Sequence, residues 1–158
     1  MSLKKLLDQK LEEWFLVATM VVMVVLIFMQ VITRYIFESS LSWSEELARY
    51  VHIWQIWIGA SFAIRKKEHI KVEAFKNLLN EKGRKIVELI SLLLWFGLAV
   101  FLAIAGTDLI TTMFSRGQFS PAMQMPMWVL YSAIPLGGLL MSIRLIQQIY
   151  FLFKPEKE

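Results

Sequence analysis

Two long stretches without a charged side chain constrain the fold of this chain most. They run from Trp14 to Thr33 and from Leu89 to Thr107, and each is close to the roughly 20 apolar residues with which an α-helix crosses a bilayer. The chain is 57% hydrophobic over its 158 residues, which is more than a soluble domain of this size could bury in one core. The sequence therefore predicts an all-α integral membrane protein.

Two further stretches are apolar but less regular. Tyr50 to Ile64 is short, and it reaches spanning length if Trp43 to Arg49 continues the same helix. Gly117 to Ile143 has no charge but contains prolines, of which Pro135 removes a backbone donor and predicts a kink near Tyr131. We therefore expect four transmembrane helices, at residues 14–36, 43–64, 86–112 and 126–152.

Lysine and arginine are concentrated in three regions, and their distribution predicts the orientation of the chain. The N-terminus, the connection between the second and third spans, and the C-terminal end are basic, and a four-span bundle places all three on one side. We expect that side to be the cytoplasm, with both termini inside. Anionic lipid headgroups rather than nucleic acid then account for the net charge of +4.

The basic connection also has a helical pattern. Val72, Phe75, Leu78 and Leu79 recur at helical spacing among lysines and glutamates. This pattern predicts an amphipathic helix at residues 70–80 that lies along the cytoplasmic membrane surface. Because the other connections are short, residues 1–158 are expected to form a single membrane domain.

The most informative polar motif stands at the start of the second predicted span. Glu45 and Arg49 are four residues apart and Glu46 and Arg49 three apart, so on a helix all three can share one face and neutralise each other. His52 and Gly59 continue that face as a stripe that should contact protein rather than lipid. The stripe fits packing within this chain and docking of another membrane protein equally well.

Reactive chemistry has little support in the sequence. There is no cysteine, glycine-rich phosphate loop, Ser/His/Asp set or metal-ligand spacing. A haem held by His52 would need a second histidine from a helix, and His69 lies in the basic connection. Asp108 fits either the end of a helix, with solvent or Thr111 as partner, or a cation ligand. We predict no enzyme and no catalytic, cofactor-binding or metal-binding residues.

Cations follow the second predicted span directly. Arg65, Lys66 and Lys67 stand where positive charge suits both the C-terminal helix dipole and a cytoplasmic lipid surface. We expect these three residues to contact phospholipid headgroups.

Several of these residues, in order, match one family. The sequence resembles the small membrane subunit (Q-type) of tripartite ATP-independent periplasmic (TRAP) transporters over nearly its whole length. Each element alone is weak, and the ordered set is specific. The matching elements are Arg34-Tyr35, Trp43-x-Glu45-Glu46-x-x-Arg49, Gly59-Ala60, Arg65 with His69-Ile70-x-Val72, Ser120 with Pro126, and Tyr131, Pro135 and Gly137.

The resemblance implies a non-catalytic subunit of a sodium-coupled secondary transporter in the bacterial inner membrane. In this family a large elevator-type subunit, here a separate chain, carries the transport sites, and the small subunit enlarges its scaffold. A periplasmic binding protein transiently delivers an organic acid, for which the resemblance suggests a sialic acid or a C4-dicarboxylate. The Lys10-Leu11-Glu12-Glu13-Trp14 and Ile64-Arg65-Lys66-x-Glu68-His69 segments resemble the sialic acid type.

The resemblance also assigns roles to individual residues. Contact with the large subunit is expected at Trp43, Glu45, Glu46, Arg49, His52, Trp54, Trp57 and Gly59. Contact with the binding protein is expected in two loops, at Ser39, Ser40, Ser115 and Arg116.

A different class of protein fits the same composition. A small proton-coupled multidrug-type exporter also works with four short spans, as a homodimer. That mechanism needs an acidic residue near the middle of a span, whereas Glu45 and Glu46 stand at the end of one.

Overall fold

Helices account for almost all of the described structure. The computed structural model describes residues 3–65 and 80–153. Within them no strand is formed, and the helices are α1 (Leu3–Tyr35), α2 (Ser42–Arg65), α3 (Glu81–Ser115), α4 (Met127–Tyr131) and α5 (Ala133–Phe153). This confirms the all-α prediction. The predicted interfacial helix lies outside the described residues, except for Asn80, which precedes α3.

Three regions of the described chain are long and apolar enough to cross a membrane. They are Glu12–Tyr35, Lys82–Ser115 and Met127–Phe153. Helix α2 has 24 residues but carries Glu45, Glu46, Arg49 and Arg65, and it is not among the three. The prediction of four spans and of their orientation therefore stays a prediction.

The long helices pack as a row in the order α1, α2, α5, α3. Helices α1 and α2 are neighbours and run antiparallel. Glu12, near the start of α1, contacts Arg65 at the end of α2, and Gln30, near the end of α1, contacts Glu45 at the start of α2. Helices α2 and α5 run parallel, and the core of the row joins Ile64 of α2 to residues of α3 and α5. We call the end where α2 begins and α3 ends the loop end, and the other the opposite end.

Small residues bring α3 and α5 into close contact. A Cβ atom at Gly138 would lie 2.8 Å from the Ala99 carbonyl oxygen and 2.8 Å from the Ala103 nitrogen. One turn away, a Cβ at Gly106 would lie 2.9 Å from Pro135 Cδ. Such surfaces let helix backbones approach and gain van der Waals contact where lipid supplies no hydrophobic driving force.

The helix that follows the α3–α4 loop is interrupted where proline predicts it. Pro135 has no N–H to donate to the carbonyl of Tyr131. Ser132, between α4 and α5, keeps a right-handed helical conformation with φ of −60° and ψ of −19°, so the interruption is one of helical hydrogen bonding. It falls directly after Tyr131, and the kink itself stays a prediction.

Glycine ends α3 at the loop end. Gly117 has a φ of +56°, and its N–H donates to the Phe114 carbonyl at 3.1 Å, while the Gln118 N–H donates to the Met113 carbonyl at 3.3 Å. This pair of bonds is the Schellman arrangement, in which a left-handed residue satisfies the last carbonyls of a helix. It turns the chain sharply into the loop before α4.

One seam along α1 faces α2. The buried and half-buried residues of α1 include positions spaced alternately four and three apart, whereas most large apolar side chains off this seam, such as Phe28, are exposed. A spacing of 3.5 on average keeps one helix edge against its neighbour. The seam residues are Glu12, Leu16, Thr19, Met23, Leu26, Gln30 and Thr33.

Replacing Gly138 by Ala should destabilise the protein by about 1–3 kcal/mol, because the new methyl group meets backbone atoms of α3 that cannot rotate away. Thermal unfolding in detergent measures the change. Gly97→Ala is the matched control, since no heavy atom lies within 4 Å of a Cβ there. Equal melting temperatures for the two variants would contradict the close packing of α3 on α5.

Candidate docking site at the start of α2

Glu46 fastens the α3–α4 loop to α2. Its Oε2 accepts the Ala122 N–H at 2.8 Å and the Met123 N–H at 2.9 Å, and its Oε1 accepts the Tyr50 hydroxyl. The residue is buried, and both carboxylate oxygens have donors, as a buried charge requires. Glu46 is therefore committed to contacts within this chain.

The loop that Glu46 holds is a small hairpin closed by Ser120. Phe119 and Pro126 pair across it, the Ser120 N–H donates to the Met125 carbonyl at 2.8 Å, and Ser120 Oγ accepts the Met125 N–H at 3.1 Å. Ser120 is fully buried. The turn thus presents two consecutive N–H groups, those of Ala122 and Met123, to the carboxylate.

Glu45 and Arg49 lie on a different side of α2 from Glu46. Glu45 Oε2 accepts Gln30 Nε2 at 3.0 Å, and Glu45 Oε1 lies 3.7 Å from Arg49 Nη2, with 55% and 67% of the two side chains exposed. The prediction that Arg49 neutralises both glutamates on one face is wrong for Glu46. The Tyr50 hydroxyl and the loop backbone occupy the Glu46 carboxylate instead.

The polar stripe on α2 divides into an exposed half and a packed half. Glu45, Arg49, His52 and Ile56 are exposed at the surface of the described chain. Further along, Gly59 is half-buried, and a Cβ there would lie 3.7 Å from Leu16 Cδ2 of α1. The first half of the stripe is thus open to a partner, whereas the second half serves packing within the chain.

The three tryptophans of α2 have different surroundings. Trp43 is 43% exposed at the loop end. Trp57 packs inside the row, where a Cβ at Gly137 of α5 would lie 2.7 Å from Trp57 Cβ. Trp54 is half-buried. Trp43 is therefore the tryptophan of α2 best placed to meet another protein.

A groove of about 880 Å³ lies between the start of α2 and the hairpin loop. Its lining includes Trp43, Arg49 and Ile53 on α2, together with Pro121 of the loop and Tyr131 of α4. Ser40, one of the predicted contacts to a binding protein, also lines it. The groove adjoins the exposed half of the polar stripe, because Glu45 and Arg49 belong to both.

The other predicted loop contacts lie at the surface of the loop end. Ser39, Ser115 and Arg116 are exposed, and Ser115 Oγ donates to the Thr112 carbonyl at 2.9 Å. They are accessible from the same end of the molecule as the groove.

At the opposite end of the row, one carboxylate joins three helices. Glu12 of α1 accepts Arg65 Nη1 of α2 at 3.2 Å and also accepts Arg144 Nη2 of α5. Arg144 Nη1 donates in addition to the Ser61 carbonyl at 2.7 Å. The guanidinium of Arg65, predicted to contact lipid headgroups, is thus engaged with Glu12, and Lys66 and Lys67 lie outside the described residues.

The described residues offer little to a metal ion. In residues 3–65 and 80–153, no three His, Cys, Asp or Glu side chains come together. Asp108 is exposed, and Thr111 Oγ1 donates to its backbone carbonyl at 2.8 Å. Thr111 therefore satisfies the main chain of the α3 helix and leaves the Asp108 carboxylate at the surface.

Comparison with known families decides the class of the protein. The model of the family described as tripartite ATP-independent periplasmic transporters, DctQ component, matches residues 23–154. The chain belongs to this family. The TRAP resemblance inferred from the Trp43 to Arg49 motif is confirmed, as is the prediction that the chain is a transport component rather than an enzyme.

Individual relatives are similar over most of this chain. The sialic acid TRAP transporter small permease protein SiaQ of Vibrio cholerae is 28% identical over 96% of this chain and 86% of its own length. The sialic acid TRAP transporter permease protein SiaT of Haemophilus influenzae is 32% identical over 94% of this chain and 24% of its own. The isethionate TRAP transporter permease protein DctMQ of Oleidesulfovibrio alaskensis is 30% identical over 90% of this chain and 24% of its own.

Sequence reasoning missed three side chains that shape the site of this DctQ-family chain. Tyr50 and Ser120 hold Glu46 and the hairpin, and Arg144 holds Glu12. Tyr50 stands four residues after Glu46, a spacing that brings side chains together on a helix and could have indicated the pair. Ser120 bonds to backbone groups of Met125, which any residue supplies, and Arg144 lies 132 residues from Glu12, so no local pattern indicates either contact.

Glu46→Gln should loosen the hairpin loop, because a neutral amide oxygen accepts the Ala122 and Met123 N–H groups more weakly than a charged carboxylate oxygen does. We expect a lower melting temperature in detergent and faster proteolysis between residues 116 and 126. Tyr50→Phe should have a smaller effect, since it removes one of three hydrogen bonds to the carboxylate. Glu45→Gln is the control on the exposed side of α2, and equal loop protection in all three variants would refute the fastening role.

Arg144→Gln should cost about 1–3 kcal/mol of stability, because Glu12 and the Ser61 carbonyl each lose a charged donor in a partly buried place. Chemical unfolding in detergent measures the loss. The exposed Arg34 supplies the control, for which the change to Gln should stay within about 0.5 kcal/mol. A loss at Arg144 no larger than that at Arg34 would mean that the contact between α1 and α5 is not stabilising.

Proposed function

We propose that this chain is the non-catalytic small membrane subunit of a sodium-coupled secondary transporter fed by a periplasmic binding protein. In this proposal the exposed half of the α2 stripe docks on a large elevator-type subunit, a separate chain, and enlarges its fixed scaffold. The exposed Arg49 and His52, about two and three turns into a 24-residue helix, carry the proposal. Polar side chains of this kind are costly against lipid hydrocarbon and so favour a protein partner.

The row arrangement supports a scaffold role. Because α1, α2, α5 and α3 follow one another in a row, α1 and α3 have the other helices on one side, and a broad surface remains for another protein. DctMQ and SiaT support the pairing, since the chain matches about a quarter of the length of each of these permease proteins. In the proposed complex that further length corresponds to the partner of this chain.

The proposed membrane arrangement has four spans in one domain of the bacterial inner membrane. Helix α2 has 24 residues, which at 1.5 Å per residue makes it about 36 Å long, enough for a hydrocarbon core of about 30 Å. Its charged start would then lie at the periplasmic surface, and both termini and the basic connection in the cytoplasm. Arg65, Lys66 and Lys67 would lie near the cytoplasmic headgroups.

An organic acid is the proposed cargo, with a sialic acid or a C4-dicarboxylate as the class. The names of the similar proteins support acids, since two are sialic acid transporters and one an isethionate transporter. In the proposed complex the binding protein meets the loop end of this chain, where Ser39, Ser40, Ser115 and Arg116 lie at the surface. The multidrug-type exporter is not favoured, because the chain belongs to the TRAP family.

Affinity purification of the chain from its native membrane in mild detergent, with mass spectrometry of retained proteins, tests the proposed partnership. We expect one large polytopic protein in a one-to-one ratio with this chain. Recovery of a homodimer alone would contradict the proposal and favour the exporter.

A cross-linking experiment tests which surface docks. Because this chain has no native cysteine, a maleimide labels it only at an introduced one. His52→Cys, labelled with a photoreactive maleimide, should cross-link to the large subunit because this position is exposed on the stripe. Phe28→Cys, on the exposed side of α1 away from the seam, is the matched control and should give far less product. Efficient cross-linking from Phe28 and none from His52 would place the partner on another face.

A further inference from the structure

The groove at the loop end has an unequal supply of hydrogen-bond donors and acceptors. Three of the four carboxylate oxygens of its two glutamates accept hydrogen bonds within the chain. Glu46 accepts the Tyr50 hydroxyl and two loop N–H groups, Glu45 Oε2 accepts Gln30 Nε2, and Glu45 Oε1 lies 3.7 Å from Arg49 Nη2. Most of the carboxylate oxygens of the groove are therefore already engaged.

Arg49 has donors to spare. In the part of the chain that the structure describes, its contact to Glu45 spans 3.7 Å, beyond hydrogen-bond length, and 67% of its side chain is exposed. A guanidinium has five N–H donors in a rigid fork that matches the two oxygens of a carboxylate. The unused capacity of the groove is thus for an acceptor with a negative charge.

The position of Arg49 favours a protein carboxylate. Arg49 lies in the groove beside Trp43 and Ile53, whose apolar surfaces exclude water from a bound segment. It also lies one turn from His52, on the exposed half of the stripe. A partner helix or loop that runs along α2 would cover both positions at once.

We propose that Arg49 binds, through both arms of its guanidinium, the carboxylate of an aspartate or glutamate on the large membrane subunit, seated in the groove between α2 and the hairpin loop. This inference rests on the proposed function and adds the chemistry of the contact. Glu45 orients the guanidinium from the chain's own side, and Glu46 keeps the loop wall in place.

Charge variants of Arg49 test the contact in the assembled complex. Arg49→Glu should lower the amount of large subunit that co-purifies by about tenfold or more, as expected for losing hydrogen bonds between charged groups. Arg49→Lys keeps the charge but loses the forked geometry of the guanidinium. The amount of large subunit that co-purifies with it should lie between the amounts for Arg49→Glu and for the native protein. Arg34→Glu reverses an exposed charge at the same end, outside the groove, and should leave co-purification unchanged.

Because a glutamate at position 49 also repels Glu45, the neutral Arg49→Gln variant and the melting temperature of each variant are measured in parallel. Restoration then identifies the partner residue. Each aspartate and glutamate of the large subunit is changed to arginine, one at a time, and each changed subunit is combined with the Arg49→Glu chain. We expect one such change to restore assembly.

Native recovery of the large subunit with both Arg49→Glu and Arg49→Gln would overturn the inference while leaving the docking proposal intact. Loss of assembly that no acidic residue of the partner restores would also overturn it. So would an effect of phosphatidylglycerol on assembly of the delipidated native complex that the Arg49→Gln complex lacks, because that difference would assign Arg49 to a lipid phosphate. Failure of the native chain to retain any large subunit would instead refute the proposed function itself.

Discussion

The carboxylate of Glu46 is the contact on which the loop end of this protein depends. Helices α2 and α5 run parallel, so the hairpin loop must return the chain from the end of α3 to a point beside the start of α2. Apolar packing can hold helices together, but it does not fix where such a loop lies. Hydrogen bonds to Glu46 fix that position. Two backbone N–H groups donate to one carboxylate oxygen, and a tyrosine hydroxyl donates to the other. The groove and the start of α4 take their positions from that loop.

Helix α1 depends on polar contacts for a different reason. It packs on α2 and on no other described helix to a comparable extent, and apolar side chains slide along one another at little cost. Glu12 and Gln30 lie on the same seam about five turns apart at 3.6 residues per turn, and each has a polar partner across it. Two fixed points at the ends of the seam therefore set the register of α1 that its apolar residues leave free.

The spacing of apolar residues along the sequence and the composition were enough to predict the helices, but not the contacts between them. The apolar runs and Pro135 specify α1, α3 and the break before α5 through local physics. The helix spacing of Glu45 and Arg49 gives their pairing for the same reason. Glu46 was misassigned because its partners, Ala122 and Met123, are backbone groups more than seventy residues away. Any residue supplies a backbone N–H, so no sequence pattern marks it. The contact of Arg144 with Glu12 could not be predicted either, since the two residues lie in different helices far apart in the sequence.

Both ends of α2 carry glutamate and arginine contacts, but the arginines are paired within the chain at one end and Arg49 is left exposed at the other. At the opposite end one carboxylate meets two guanidinium groups, and Arg144 also reaches a backbone carbonyl, so cations and acceptors are matched within the chain. At the loop end the two carboxylates accept hydrogen bonds from neutral donors, and the guanidinium of Arg49 stays exposed, 3.7 Å from Glu45. A helical subunit whose charges are paired within the chain at one end, and left exposed at the other, would assemble through the end with the exposed charge. In the proposed complex a partner that supplies the missing acceptors offsets the cost of desolvating Arg49, which would make correct pairing more favourable than contact with lipid.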